Sequence, residues 1–96
     1  MEKVLVGCPT SDYHEYCLKE YIQAVKNLSY SNHDVILVDN SKDLDYYKKI
    51  KEFGIEVIKT KYLESARDRI ITSRNILRKV VLNKNYDYLL SLEQDI

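Results

Sequence analysis

Four short apolar runs punctuate this chain: Val4-Leu5-Val6-Gly7-Cys8, Asp34-Val35-Ile36-Leu37-Val38-Asp39, Ile55-Glu56-Val57-Ile58 and Tyr86-Asp87-Tyr88-Leu89-Leu90-Ser91-Leu92. They are short and rich in aliphatic and β-branched residues, with little of the strict alternation of a one-sided strand, so they read as buried strands. The segments between them follow a different period. Cys17, Leu18, Tyr21, Ile22, Val25 and Leu28 recur at three and four residues, and Asp12 with Glu15 reads as a capping pair ahead of a first helix. A short helix is expected from Asp43 to Phe53, with acids early, lysines late and Gly54 past its end. Ser65 with Asp68 opens the longest periodic stretch, in which Ala66, Ile70, Ser73, Leu77 and Val81 line one face to about Asn83. Strand and helix thus alternate as βαβαβαβ. Parallel neighbours need crossovers, which predicts an α/β fold of three layers: a mainly parallel sheet with helices on both faces.

With 96 residues the chain holds one domain, 1–96, and its two glycines and one proline leave room only for compact loops. Lys plus Arg and Asp plus Glu number 15 each, so no net field attracts nucleic acid or an anionic bilayer. No apolar run approaches the roughly 18 residues of a membrane span. Val4–Gly7 is too short for the core of a signal peptide, so a cytoplasmic address is expected. Cys8 and Cys17 lack the density of a disulfide scaffold or zinc site and read as buried free thiols. His14 reads as a surface or partly packed side chain, and His33 as part of a turn.

Ligands of open parallel sheets bind at the carboxyl ends of the strands. Those positions are Pro9-Thr10-Ser11, Asp39-Asn40-Ser41, Thr60-Lys61 and Glu93-Gln94-Asp95, all polar sets apart from the proline. Glu93 and Asp95 lie two apart on what should be extended chain, which points both carboxylates to one side, a spacing suited to a hard divalent cation. The Cys8-Pro9-Thr10-Ser11-Asp12 turn is neither a dinucleotide-binding glycine loop nor a P-loop, and no hydrolase nucleophile elbow occurs.

In succession, these pieces resemble the N-terminal, nucleotide-binding half of a family 2-type glycosyltransferase of the GT-A fold, the nucleotide-diphospho-sugar transferase architecture. Val4 to Thr10 resembles that family's first strand ending in Pro-Thr, and Asp34 to Ser41 its second strand ending in Val-Asp-(Asp or Asn)-(Gly or Ser). Ala66-Arg67-Asp68 and Ser73-Arg74-Asn75 stand where the family has an Ala-Arg-Asn helix, and Leu90 to Asp95 resembles the strand ending in Asp-x-Asp, with Glu93 for the first acid. The resemblance implies a truncated donor-site domain that binds a nucleotide-diphosphate sugar with manganese or magnesium. Pro9, Thr10, Asp39, Asn40, Arg67, Arg74, Asn75 and Glu93 would meet the nucleotide, and Glu93 and Asp95 the cation. It also implies that the general base lies in an acceptor-binding half beyond this chain, so that the chain alone is expected to bind donor without completing transfer. The uncovered fourth strand is expected to make a homo-oligomer. The alternative function is a non-catalytic α/β module for assembly or regulation.

Overall fold

The computed structural model describes residues 2–28 and 32–92. Its elements are β1 (Val4–Thr10), a 3₁₀ turn (Asp12–Cys17), α1 (Leu18–Lys26), β2 (His33–Asp39), α2 (Asp45–Glu52), β3 (Glu56–Lys59), α3 (Ala66–Asn83) and β4 (Tyr88–Ser91). The four strands form one sheet in the order β3-β2-β1-β4, and all three pairings are parallel. From β1 the chain steps outward to β2 and β3. It then crosses back over β2 and β1 to place β4 on the other side. Right-handed crossovers in opposite directions put their helices on opposite faces, and the core divides accordingly. Val6, Cys8, Leu37 and Val57 pack with Leu18, Tyr21, Ile22 and Val25 of α1 and with Tyr46 and Ile50 of α2. Leu5, Ile36 and Val38, on the alternate pleats, pack with Leu77 of α3. The expected three-layer α/β architecture is therefore present.

Local departures from expectation have identifiable causes. The expected first helix begins late, at Leu18, and its capping pair is not used: Ser11 is extended and makes no side-chain cap, and the 3₁₀ turn buries no residue. A turn with Tyr13 72% and Tyr16 71% exposed has no apolar face to hold it as an α-helix. Its first N–H is satisfied from outside, Asp12 N–H donating to Ser41 Oγ at 2.7 Å. β1 runs through Pro9 to Thr10, where the sequence suggested a stop. Its ladder with β4 ends at Gly7–Ser91, so Pro9 lies beyond the two-sided part of the strand, while pairing with β2 continues to Thr10–Asp39. β4 covers only Tyr88–Ser91 of the seven-residue run. His33 is the first residue of β2, not turn, and its Nε2 meets the Val25 carbonyl at 3.1 Å. Cys8 is a buried free thiol as expected, and Cys17 a partly buried one. Among the described residues no helix is long and apolar enough to cross a membrane.

Tyr86 spends its side chain at the amino-terminal edge of the sheet. Its hydroxyl donates to Asp34 Oδ2 at 2.6 Å, and Lys3 Nζ lies 3.5 Å from the same oxygen and 4.8 Å from the Tyr86 ring centre. Burial first, and the Asp34 carboxylate second, push the Tyr86 phenol up to about 12. The Tyr86 hydrogen bond, followed by Lys3, holds Asp34 below the usual carboxylate range. A phenol with its folded pKa raised keeps a proton that the unfolded chain releases near pH 10. Its contribution is therefore full below about pH 10 and lost as pH rises through about 12. Asp34 contributes above its unfolded pKa, near 4, and loses that contribution as pH falls through its lower folded value. Tyr86→Phe should lose less stability than the parent between pH 10 and 12, read from urea midpoints across that range.

Candidate functional site

β1 is the switch point of the sheet. The chain leaves it for β2 on one face and returns to β4, on its other side, over the opposite face, so its carboxyl end opens into a crevice. Hydrogen bonds fix that edge. Asn40 N–H donates to Thr10 O, and Thr60 N–H to Asp39 O, each at 2.9 Å, extending the ladder beyond the strands. Lys59 Nζ donates to the carbonyls of Ser41 and Thr60, tying the second strand's end to the third's. Asn40 Nδ2 donates to Ser73 Oγ at 3.2 Å, and both side chains are buried.

This last bond locates α3 against the sheet. Ser73 meets the residue just after β2, so the seven helical residues before it, Ala66–Thr72, overhang the sheet's carboxyl edge. Ile70, expected to pack on the sheet, is consequently 41% exposed, whereas Leu77, two turns further on, is buried. The overhang walls a cleft of about 240 Å³ lined by Pro9, Thr10, Ser11, Tyr13, His14, Asn40, Ala66, Arg69, Ile70 and Arg74. Arg69 holds the loop that enters the helix: its Nη1 donates to the carbonyls of Leu63 and Glu64 at 2.6 and 2.8 Å, and its guanidinium lies 5.0 Å from the Tyr62 ring centre.

Of the residues singled out from sequence, Pro9, Thr10, Ser11, Asn40 and Arg74 meet at this cleft. Asp39 does not line it. Strand alternation and the register Thr10–Asp39 put its carboxylate on the α2 side, where Thr10 Oγ1 and Tyr46 Oη lie 3.0 Å apart. Asp39 is wholly buried. Its Oδ1 accepts from Ser41 N–H at 2.9 Å, and its Oδ2 has no hydrogen-bond partner among the described residues. Arg67 and Asn75 are exposed and line no part of the cleft, because at 100° per residue Asn75 lies about 200° around the helix from Ser73 and Arg67 about 120°. Thr60 and Lys61 likewise stay outside it. Glu93 and Asp95, the expected cation ligands, and Gln94 lie outside the described residues. Among the described residues no group of three or more His, Cys, Asp or Glu side chains could hold a metal ion.

The sequence reading missed Tyr13, His14, Arg69 and Ile70 as cleft residues. The signal for the helical ones was available: Ala66, Arg69, Ile70, Ser73, Arg74 and Leu77 form a single i, i+3, i+4, i+7 stripe, whose outer half has no sheet beneath it. His14 is partly buried, as expected, but its Nδ1 is enclosed and unpartnered among the described residues, and its ring borders the cleft. Comparison of the chain with protein-family models, with curated proteins and with solved structures gives no match in any of the three.

Proposed function

We propose that this cleft binds the nucleotide-diphosphate part of a nucleotide-sugar donor, making the chain a glycosyltransferase-like donor-site domain. The observation that carries the reading is the meeting of Pro9, Thr10, Ser11, Asn40 and Arg74 around one crevice at the carboxyl end of the switch-point strand. A crevice so placed is where open α/β sheets hold nucleotides. Its volume is below the roughly 300–1,000 Å³ of pockets that enclose a drug-sized ligand, which suits a site that grips part of a nucleotide and leaves the sugar open to an acceptor. Tyr13, largely exposed at the rim, offers a ring face to a base.

Sugar transfer leaves negative charge on the diphosphate, and fixed cations beside it stabilise that charge without covalent chemistry by the protein. Arg74 stands where it could do this. Manganese or magnesium at Glu93 and Asp95 belongs to the same proposal; bound there it would add Lewis-acid stabilisation of the leaving group. No carboxylate is among the described cleft residues to take a proton from an acceptor hydroxyl, so the proposal is confined to donor binding.

A second reading, an assembly module, is favoured by one observation: the outer strand β4 exposes Tyr88 (55%) and Leu90 (43%), and Leu82 beside it is 78% exposed. An apolar sheet edge of this kind invites pairing with a second copy. Thermal denaturation with a panel of nucleoside diphosphates, with and without manganese, separates the two. A ligand at about 100 times its dissociation constant stabilises by about 2.7 kcal/mol, which for a chain of this length raises the midpoint by roughly 10 °C or more. An unchanged midpoint with every nucleotide at millimolar concentration would sink the donor-site reading.

A further inference from the structure

We infer that the β4 edge of the sheet is an interface for a second copy of this chain, paired antiparallel about a two-fold axis at Leu89. This pairing rests on the assembly reading, to which it adds the partner, the register and the contacts.

The two edges of the sheet are built differently. β3 carries Glu56 and Lys59 at its ends, and Lys84 Nζ lies 3.8 Å from Glu56 Oε1, so charge guards that edge. β4 carries no charged residue. Tyr88 N–H turns inward to Lys3 O, so by strand alternation Leu89 and Ser91 turn their N–H and C=O groups outward, away from β1. Apolar side chains flank these groups on both faces. Tyr88 and Leu90 are exposed on the side of the sheet where Val6 packs against α1. On the other side Leu82, Val81 and Arg78 of α3 border a groove of about 200 Å³ whose fourth wall is Leu89. Exposed Ile71 extends the patch, since Ile71, Arg78 and Leu82 lie within about 40° of one another around the helix.

The heights of these groups above the sheet set the register. Leu77 lies over Gly7, which pairs with Ser91. α3 runs opposite to the strands it crosses, so the two strand residues from Ser91 down to Leu89, about 6.6 Å, match four or five helical residues and reach Val81 and Leu82. All three line the groove. A two-fold axis at Leu89 therefore brings Leu89 beside Leu89 of the second copy, with the two Leu82 side chains facing across the same axis. Leu89, whose backbone groups point outward, exchanges both hydrogen bonds with its own equivalent. Tyr88 falls opposite Leu90, an aromatic and aliphatic cross-strand pair. Charge is complementary in this register. Arg78, the residue after Leu77, stands near the height of Ser91, and antiparallel pairing about Leu89 sets Asp87 of the second copy opposite Ser91. Both side chains are exposed, and Asp87 spends one carboxylate oxygen, Oδ2, on the Lys3 N–H at 2.7 Å. The two-fold makes the Arg78–Asp87 pair twice. Because the charges of the chain balance at 15 and 15, no net repulsion opposes the association.

Sedimentation velocity from micromolar to near-millimolar chain tests this. A species of twice 11.4 kDa should grow with concentration. Leu82→Glu, at a position 78% exposed and so without a place in the core, should weaken the dimer at least tenfold. Arg78→Asp should do the same, and adding Asp87→Arg should recover most of the loss. Leu44→Glu, an exposed leucine ahead of α2, should leave the dimer within twofold, which separates this edge from a general loss of surface apolarity. Asp87→Arg also gives up the bond to Lys3, so urea midpoints of the dilute variants establish that each is folded. A folded double variant that recovers nothing would overturn the register. A dimer that ignores both Leu82→Glu and Arg78→Asp, or loses as much to Leu44→Glu, would overturn this interface while the assembly reading stands. A chain that stays at 11.4 kDa over the whole range would overturn the pairing and the assembly reading together.

Discussion

Gly7→Ala should lower the melting midpoint by roughly 10–20 °C, on the basis of overpacking costs of about 1–3 kcal/mol and a shift of about 4–8 °C per kcal/mol in a domain this small. Gly7 sits in the middle of β1, hydrogen-bonded between β2 and β4, directly beneath Leu77 of α3. A methyl group there would stand 2.8 Å from the Ile36 carbonyl oxygen and 2.9 Å from Leu77 Cδ2. A flexible side chain could swing away from such a contact. The Ile36 carbonyl cannot, because it belongs to the central ladder of the sheet, and this argues for the upper part of the range. The consequence reaches beyond stability, since lifting α3 from β1 displaces the wall of the cleft. Urea and thermal denaturation of the variant check the first effect, and a loss of nucleotide stabilisation checks the second.

Leu77→Ala should cost about 2–5 kcal/mol, a large part of the 5–15 kcal/mol that holds a typical domain together. Leu77 is 1% exposed and is the one fully buried apolar side chain that α3 contributes to the small core shared with Leu5, Ile36 and Val38. The residue opposite is a glycine with no side chain to relax into the void, so the cavity should stay open. The two substitutions occupy the same space and should not add. Alanine at position 7 in the Leu77→Ala background meets only the Ile36 carbonyl and fills part of the hole, so its added cost should fall by at least 0.5 kcal/mol, the scale of coupling between contacting residues. Simple additivity of the two losses would contradict close packing of α3 on β1.

The order of elements was legible because burial on both faces leaves a mark in composition. Runs such as Val35-Ile36-Leu37-Val38 carry aliphatic residues on successive positions, which only a sheet covered on both sides demands. Register and extent were less legible. Nothing local tells β4 to stop pairing at Ser91 or β1 to continue past Pro9; the partner strand decides both. The candidate site divides in the same way. Pro9, Thr10 and Asn40 could be found because they follow strands, and the carboxyl edge of a parallel sheet is a general address. Arg69 was passed over, and Arg67 and Asn75 were chosen, because motif likeness ignores where α3 stops having a sheet beneath it. That limit is set by the Asn40–Ser73 bond between segments 33 residues apart. Asp39 reads from sequence as a group pointing into the site, but strand alternation turns its carboxylate to the other face.

The central claim is that the crevice walled by α3 at the carboxyl end of β1 binds a nucleoside diphosphate. Backbone amide shifts recorded by ¹H–¹⁵N correlation spectra during titration with uridine and guanosine diphosphates test it residue by residue. The account predicts saturable changes concentrated on Thr10–His14, Asn40, Ser41 and Ala66–Arg74, with little change around Lys3, Asp34, Glu56 and Tyr86 at the opposite edge of the sheet. Spectra unchanged at millimolar nucleotide, or changes centred on that opposite edge, would contradict it.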